Sequence, residues 1–348
     1  MTLSTINVLI ASPFVPELID RMKRVDPRFE VTYRPDMLGT PRYQGDHFPP
    51  FQRTPEQAAE WAALLSQAEV MFDVDQPSQL NFPSRVPKLK WLQTSSSGIG
   101  ELMHKMGMAD SSIQVTNAAG IHAVPLAEFV LFGMLYFAKT WPRLAAEQRA
   151  HHWERCTIDT LTGKTLGIVG LGNVGREVAR LAHPFGMRVL GVRRTSPDGG
   201  EGRPAGSDVD ALYGPSGLTT VLRASDYLAL CLPQTAETIG LLGDAELRSM
   251  KPSAVLINIA RGSVVDEAPF IAALQHGRLA GAALDVAAKE PLPADSPLWD
   301  MPNVIITPHS MSTAADENER LTTLFCDNLR RYAAGEPLRN RFELARGY

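Results

Sequence analysis

The string Gly170-Leu171-Gly172-Asn173-Val174-Gly175 constrains this chain more than any other. A β-rich run, Thr165–Val169, leads into it, and a helical pattern from Val174 to Ala182 leads out. A GxGxxG alone is weak, but between a strand and a helix it reads as a dinucleotide-binding turn. Gly170 permits the tight turn, Gly172 lets a pyrophosphate approach the backbone, and Gly175 lets helix and strand pack closely. The helix start, at Asn173 and Val174, then offers N–H groups and a partial positive charge to phosphates.

The next strand, Arg188–Val192, sets the cofactor type. NAD sites usually place Asp or Glu at its end, about 20 residues past the glycines, to hold the ribose hydroxyls. Here the chain reads Arg193-Arg194-Thr195. Two guanidiniums and a hydroxyl suit a phosphate dianion. The expectation is a preference for NADP(H), with NAD(H) as the alternative.

Short β-rich runs alternate with helical patterns along almost the whole chain. Strands are expected at Val8–Ala11, Val70–Val74, Leu89–Thr94, Gln114–Asn117, Thr165–Val169, Arg188–Val192, Tyr227–Cys231, Ala254–Ile259, Gly281–Asp285 and Val304–Thr307. Such alternation predicts parallel sheets covered on both faces. The 348 residues exceed the size at which one core usually stops growing, so two domains are expected. A helical pattern from Leu126 to about Trp153, broken or kinked at Pro142, is the candidate crossing element between them. A second pattern, Thr313 to Ala334, returns the chain to the first domain. Two Pro- or Gly-rich stretches, 34–55 and 197–217, are too long for ordinary loops and are functional, decorated with short helices, or mobile.

Composition adds exclusions. With 44% hydrophobic and 21% charged residues the chain is an ordinary globular one, and a net charge of −4 gives no general pull toward nucleic acid or membrane. No apolar run approaches a membrane span, and the N-terminus opens into a strand rather than a signal peptide. Cys156, Cys231 and Cys326 are widely separated and read as apolar fillers in a reducing cytoplasm. No metal is expected, because the adjacent His151 and His152 do not share a helix face and no cluster completes a shell with His122.

Three residues late in the chain carry the chemistry. Arg261 follows Asn258-Ile259-Ala260, Glu290 follows the Gly281–Asp285 strand, and His309 follows Thr307-Pro308. Ligands of open α/β sheets bind outside the carboxyl ends of strands, so these positions are expected to converge. Arginine can hold the carboxylate of a 2-keto acid and polarise its carbonyl. Hydride attack leaves negative charge on that oxygen, and histidine can protonate it near neutral pH. A carboxylate beside the imidazole orients the ring and favours its charged form.

With these strings in place, the sequence resembles the D-isomer-specific 2-hydroxyacid dehydrogenases. The resemblance also covers Asn117–Glu128, Ser95-Ser96-Ser97-Gly98-Ile99-Gly100, Leu284-Asp285-Val286, Glu290-Pro291-Leu292-Pro293 and Thr307-Pro308-His309-Ser310. It implies two doubly wound parallel-sheet α/β domains, a Rossmann cofactor domain (120–312) inserted into a flavodoxin-like substrate domain (1–119 with 313–348). It implies Arg261, Glu290 and His309 as the catalytic trio, with D stereochemistry at the reacting carbon. The loop at Ser97, Gly98 and Ile99 would bind the substrate carboxylate through backbone N–H groups. Asp285 would lie near the nicotinamide carboxamide and Leu232 and Pro233 near the adenosine, with Ile259 and Ala260 also at the cofactor. It implies a homodimer on the crossing helix, with Trp141 and Trp153 either at the interface or packed within the subunit. Gly100 departs from the Asp common at that position, and Glu290, rather than Gln, argues against a formate dehydrogenase-like member. Glyoxylate and hydroxypyruvate are the expected substrates. Bulkier branched or aromatic keto acids, or a nicotinamide-sensing binding protein, are the alternatives.

Overall fold

The computed structural model describes residues 5–74, 81–108, 110–196 and 208–344. The chain divides into two compact units, Met1–His122 with Thr313–Tyr348, and Ala123–Ser312. Each is built on an all-parallel sheet among the described residues.

In the first unit, β1 (Ile6–Ile10), β2 (Phe29–Tyr33), β3 (Val70–Phe72), β4 (Trp91–Gln93) and β5 (Gln114–Thr116) run in the order β2-β1-β3-β4-β5. Side chains alternate between faces along each strand. Val8, Ile10, Phe72 and Trp91 therefore pack to one side with Phe325 and Leu329 of the helix Glu317–Ala334, while Leu9, Met71 and Leu92 pack to the other with Trp61 and Leu65. Burying both faces is what parallel sheets require.

The second unit holds β6 (Thr165–Val169), β7 (Arg188–Val192), β8 (Ala211–Tyr213), β9 (Tyr227–Leu230), β10 (Val255–Asn258), β11 (Gly281–Leu284) and β12 (Val304–Ile306). Their order is β12-β11-β10-β9-β6-β7-β8. The sequence reverses direction beside β6, where a doubly wound sheet opens a crevice for a ligand. Leu166, Ile168, Ala229 and Ile257 face the helix Ala123–Ala138, and Leu228, Leu230 and Leu256 face the opposite layer.

Two strands escaped the sequence reading. β2 is a sheet edge with one fully buried residue, Phe29, so its apolar alternation is faint. β8 is three residues long inside the Gly- and Pro-rich 197–217 stretch, of which 197–207 lie outside the described residues. The 34–55 stretch is not a bare loop: it carries a 3₁₀ turn, Pro35–Met37, and buries Met37, Asp46 and His47. The long helical pattern is two helices, Ala123–Ala138 and Trp141–Arg149, bent by 66°. The break falls at Thr140, in left-handed conformation with φ of 50°, and Pro142 opens the second helix rather than kinking a continuous one. Among the described residues no single helix is long and apolar enough to cross a membrane.

Candidate active site

In the second unit, β6 ends at Val169 and Gly170 turns the chain at φ of 101°. A side-chain carbon on Gly170 would lie 2.7 Å from the Cys231 carbonyl carbon, and one on Gly175 would lie 2.2 Å from the Gly170 oxygen. Both positions are closed to any larger residue. Gly172 is different: nothing lies within 4 Å of a carbon added there, so its outer face is open. It caps the helix Asn173–Ala182, whose first amides receive no side-chain cap. This turn therefore fits a pyrophosphate, whose oxygens need uncapped helix amides and an approach that no Cβ blocks. Arg193, Arg194 and Thr195 follow β7 and are all exposed, with Arg194 3.8 Å from Glu237. Leu232 and the exposed Pro233 follow β9. Ile259 and Ala260 follow β10 with buried side chains.

Arg261, Glu290 and His309 lie past the carboxyl ends of β10, β11 and β12, three adjacent strands. His309 Nδ1 and Glu290 Oε2 are 2.8 Å apart. A carboxylate can only accept, so Nδ1 carries the hydrogen and Nε2 is left for exchange with a ligand. Both side chains remain 40% exposed, so the ring is reachable. Burial alone would raise the Glu290 carboxyl. The hydrogen bond and charge of His309, the Ala287 amide 3.1 Å away and the charge of Arg261 outweigh it and hold the group below its ordinary range. The stabilisation from this pairing is present above the usual glutamate value, about 4.3. It is lost as pH falls through the depressed one. A cavity of about 430 Å³ opens here, lined by Asp285, Glu290, Trp299, Thr307 and His309 among others.

Several supports went unread in the sequence. Asn258 is buried, accepts from the Ala260 amide at 3.0 Å and donates to the Arg261 carbonyl at 3.1 Å, so it shapes the turn that presents Arg261. The buried Asp285 carboxylate accepts from Thr307 Oγ1 at 2.8 Å and from the amides of Ser310 and Met311 at 2.9 and 3.2 Å. Those bonds hold the loop on which His309 sits at φ of 53°. Burial pushes the Asp285 carboxyl up, against those hydrogen bonds and the charge of His309. Gly262 is required because a Cβ there would lie 1.9 Å from the Ala287 carbonyl carbon. A polar residue two positions from a turn was the available signal for Asn258; the Asp285 bonds had none.

The first unit places Ser97, Gly98 and Ile99 after β4, with Ile99 buried and Ser97 half-buried. Their loop is tied down on every side. Thr94 Oγ1 donates to the Ser96 carbonyl at 3.0 Å, Asn117 Nδ2 to the Ser97 carbonyl at 3.0 Å, and the Ser95 amide to Asp73 Oδ1 at 2.9 Å. Asp73 is fully buried, which pushes its carboxyl up despite the nearby charge of His47. Elsewhere, His152 meets two acids, Glu147 and Glu154. The group is largely exposed and both glutamates pair with Arg143.

A doubly wound sheet with a glycine turn at its crevice, and an imidazole–carboxylate pair at its carboxyl edge, defines a nicotinamide-dependent oxidoreductase. Residues 131–310 match the family model of the D-isomer specific 2-hydroxyacid dehydrogenase NAD binding domain. The chain is 35% identical over 266 residues to glyoxylate/hydroxypyruvate reductase B of Pectobacterium carotovorum subsp. carotovorum (strain PC1), covering 75% of this chain and 81% of that one. It is 33% identical over 282 residues to the protein of the same name from Yersinia pestis (strain Pestoides F), covering 79% and 84%. A D-isomer specific 2-hydroxyacid dehydrogenase from Xanthobacter autotrophicus Py2, crystallised with NADPH and MES, superposes with a TM-score of 0.77 at 29% identity, covering 99% of this chain and all of that one. The chain belongs to the D-isomer specific 2-hydroxyacid dehydrogenase family.

Proposed function

We propose that this enzyme reduces small 2-keto acids with NADPH, glyoxylate to glycolate and hydroxypyruvate to the D-2-hydroxy acid. The observation that carries the reading is the 2.8 Å contact between His309 and Glu290 at the sheet edge that also bears Arg261. The names of the Pectobacterium and Yersinia relatives, and the NADPH in the Xanthobacter structure, point to the same substrates and cofactor.

Bound at the glycine turn, NADPH supplies the hydride. The protein supplies the rest. Arg261 holds the substrate carboxylate and draws charge toward the carbonyl oxygen. His309 Nε2 gives that oxygen its proton. Glu290 holds Nδ1–H and stabilises the ring while it is charged. The backbone at Ser97, Gly98 and Ile99 receives the carboxylate. Arg193, Arg194 and Thr195 hold the 2′-phosphate, and Asp285 serves the carboxamide end of the nicotinamide. A steady-state panel of keto acids with NADPH tests the whole reading, and absence of turnover would refute it.

The cofactor preference has its own test. Replacing Arg193 and Arg194 together by alanine is expected to lower the NADPH to NADH ratio of kcat/KM by about 10- to 100-fold. Charge-assisted hydrogen bonds contribute about 1.5–3 kcal/mol each, and exposure at this edge reduces that. A double variant with an unchanged ratio would place the 2′-phosphate elsewhere.

The homodimer belongs here too, as does a cytoplasmic location, which the free state of all three cysteines supports. Trp153 is 96% exposed, Trp141 49% and Phe132 50%. Trp153 is almost wholly free of its own subunit and Trp141 half covered by it, which supports a role for both against a second copy. Sedimentation is expected to give twice the chain mass, and Phe132→Glu to give the single mass.

A further inference from the structure

Ser97, His122 and Glu317 form a hydrogen-bonded line inside the first unit. Ser97 Oγ is 3.2 Å from His122 Nδ1, and His122 Nε2 is 3.0 Å from Glu317 Oε1. The side chains of His122 and Glu317 are 12% and 7% exposed. The Glu317 carboxylate sits between two imidazoles, with His47 Nε2 3.9 Å from the same oxygen. Its other oxygen is buried without a protein partner, and a Cβ on Gly45 would come within 2.9 Å of it. His47 is in turn 2.7 Å from Ser12 Oγ. An acid buried this deeply is costly unless it is paired, so its place beside His122 is a defined one.

The line has a direction. Glu317 can only accept, so His122 Nε2 carries a hydrogen toward it. In a neutral imidazole Nδ1 is then a lone pair, and the Ser97 hydroxyl must donate to it. Ser97 Oγ is left with its own lone pairs for any ligand in front of the loop. In hydrolases the same order of groups activates a serine nucleophile. Keto-acid reduction needs no acyl acceptor, so the consequence here is which hydrogen bonds the serine can make.

We propose that Ser97 is the specificity residue for a hydroxyl group on C3 of the keto acid, accepting its hydrogen, and that His122 and Glu317 are positioning residues that fix that polarity. This rests on the assignment of the Ser97–Ile99 loop to substrate binding. A serine that presents lone pairs welcomes a hydroxyl hydrogen and gains nothing from a methyl group. A site built around such a bond discriminates against the analogue lacking it, because its polar atom is then left unpaired.

The test is steady-state kinetics of the full chain with NADPH. Hydroxypyruvate, pyruvate and glyoxylate are compared; pyruvate lacks only the hydroxyl. The unmodified enzyme is expected to favour hydroxypyruvate over pyruvate in kcat/KM by about tenfold or more, the half-buried serine discriminating less than a sealed site. Ser97→Ala is expected to lower that ratio about tenfold, through KM rather than kcat, and Ser97→Thr to keep it. Glu317→Gln is expected to lower the ratio in the same direction, again in KM, because an amide can donate to Nε2 and reverse the imidazole. A ratio that stays within about twofold in both Ser97→Ala and Glu317→Gln overturns the proposal. So does an equal loss with all three acids, which marks damage to the loop rather than a lost hydroxyl contact. If the unmodified chain turns over none of the three, the functional reading itself has failed, and this inference falls with it.

Discussion

His309→Ala is expected to lower kcat for keto-acid reduction by about 100- to 10,000-fold, the usual worth of a positioned proton donor. NADPH affinity, read by fluorescence titration, is expected to be nearly unchanged, because the glycine turn and the Arg193 edge lie on other strands of the same sheet. The side chain has few other duties. Its Nδ1 bonds Glu290, and its loop is held by Asp285 through Thr307, Ser310 and Met311. Removing the ring should therefore leave the loop in place and take away the proton donor alone. Thermal unfolding close to that of the parent, with the rate loss intact, would separate chemistry from folding. A variant that retains near-normal turnover would mean that another group protonates the alkoxide.

The second large effect is expected at Arg261. Arg261→Ala should lower kcat/KM by about 100- to 1,000-fold, chiefly through loss of productive keto-acid binding. Removing one partner of a charge-assisted pair costs about 2–5 kcal/mol. Arg261→Lys should recover only part of this, since a point charge cannot make the planar two-pronged contact. The loss should also reach Glu290, whose carboxyl is partly held down by the Arg261 charge. Saturation with keto acid that restores full kcat at raised KM would make Arg261 a binding group only. Unchanged kcat/KM would remove it from the site.

The parts of the fold that were legible in the sequence are those whose signal is local. β6 and β9 are fully buried and read as apolar runs, and the glycine turn is a spacing between β6 and the helix that follows it. β2 was missed because an edge strand with one buried residue barely alternates. The helix break was placed at Pro142, where the residue type draws attention. The backbone reversal lies at Thr140, whose left-handed conformation nothing in its side chain announces. At the site, Arg261, Glu290 and His309 each follow a strand, and strand ends can be found from patterns. Asp285 bonds residues 22 to 26 positions away, and His122 meets Glu317 at a separation of 195. Such contacts follow from sheet order and packing, which no periodicity encodes.

The helix Glu317–Ala334 has a bearing on how the molecule is made. It sets Phe325 edge-on to Phe72 and tilted against Trp91, and lays Leu321 and Leu329 into the same core beside Val8 and Ile10. The strands of residues 6–116 thus wait for this apolar layer until Glu317–Ala334 has been translated. The stretch from Ala123 to Ser312 has all its strands once Ser312 has left the ribosome tunnel. The stretch made first is thus completed by a helix made last, while the stretch made between them holds a core of its own.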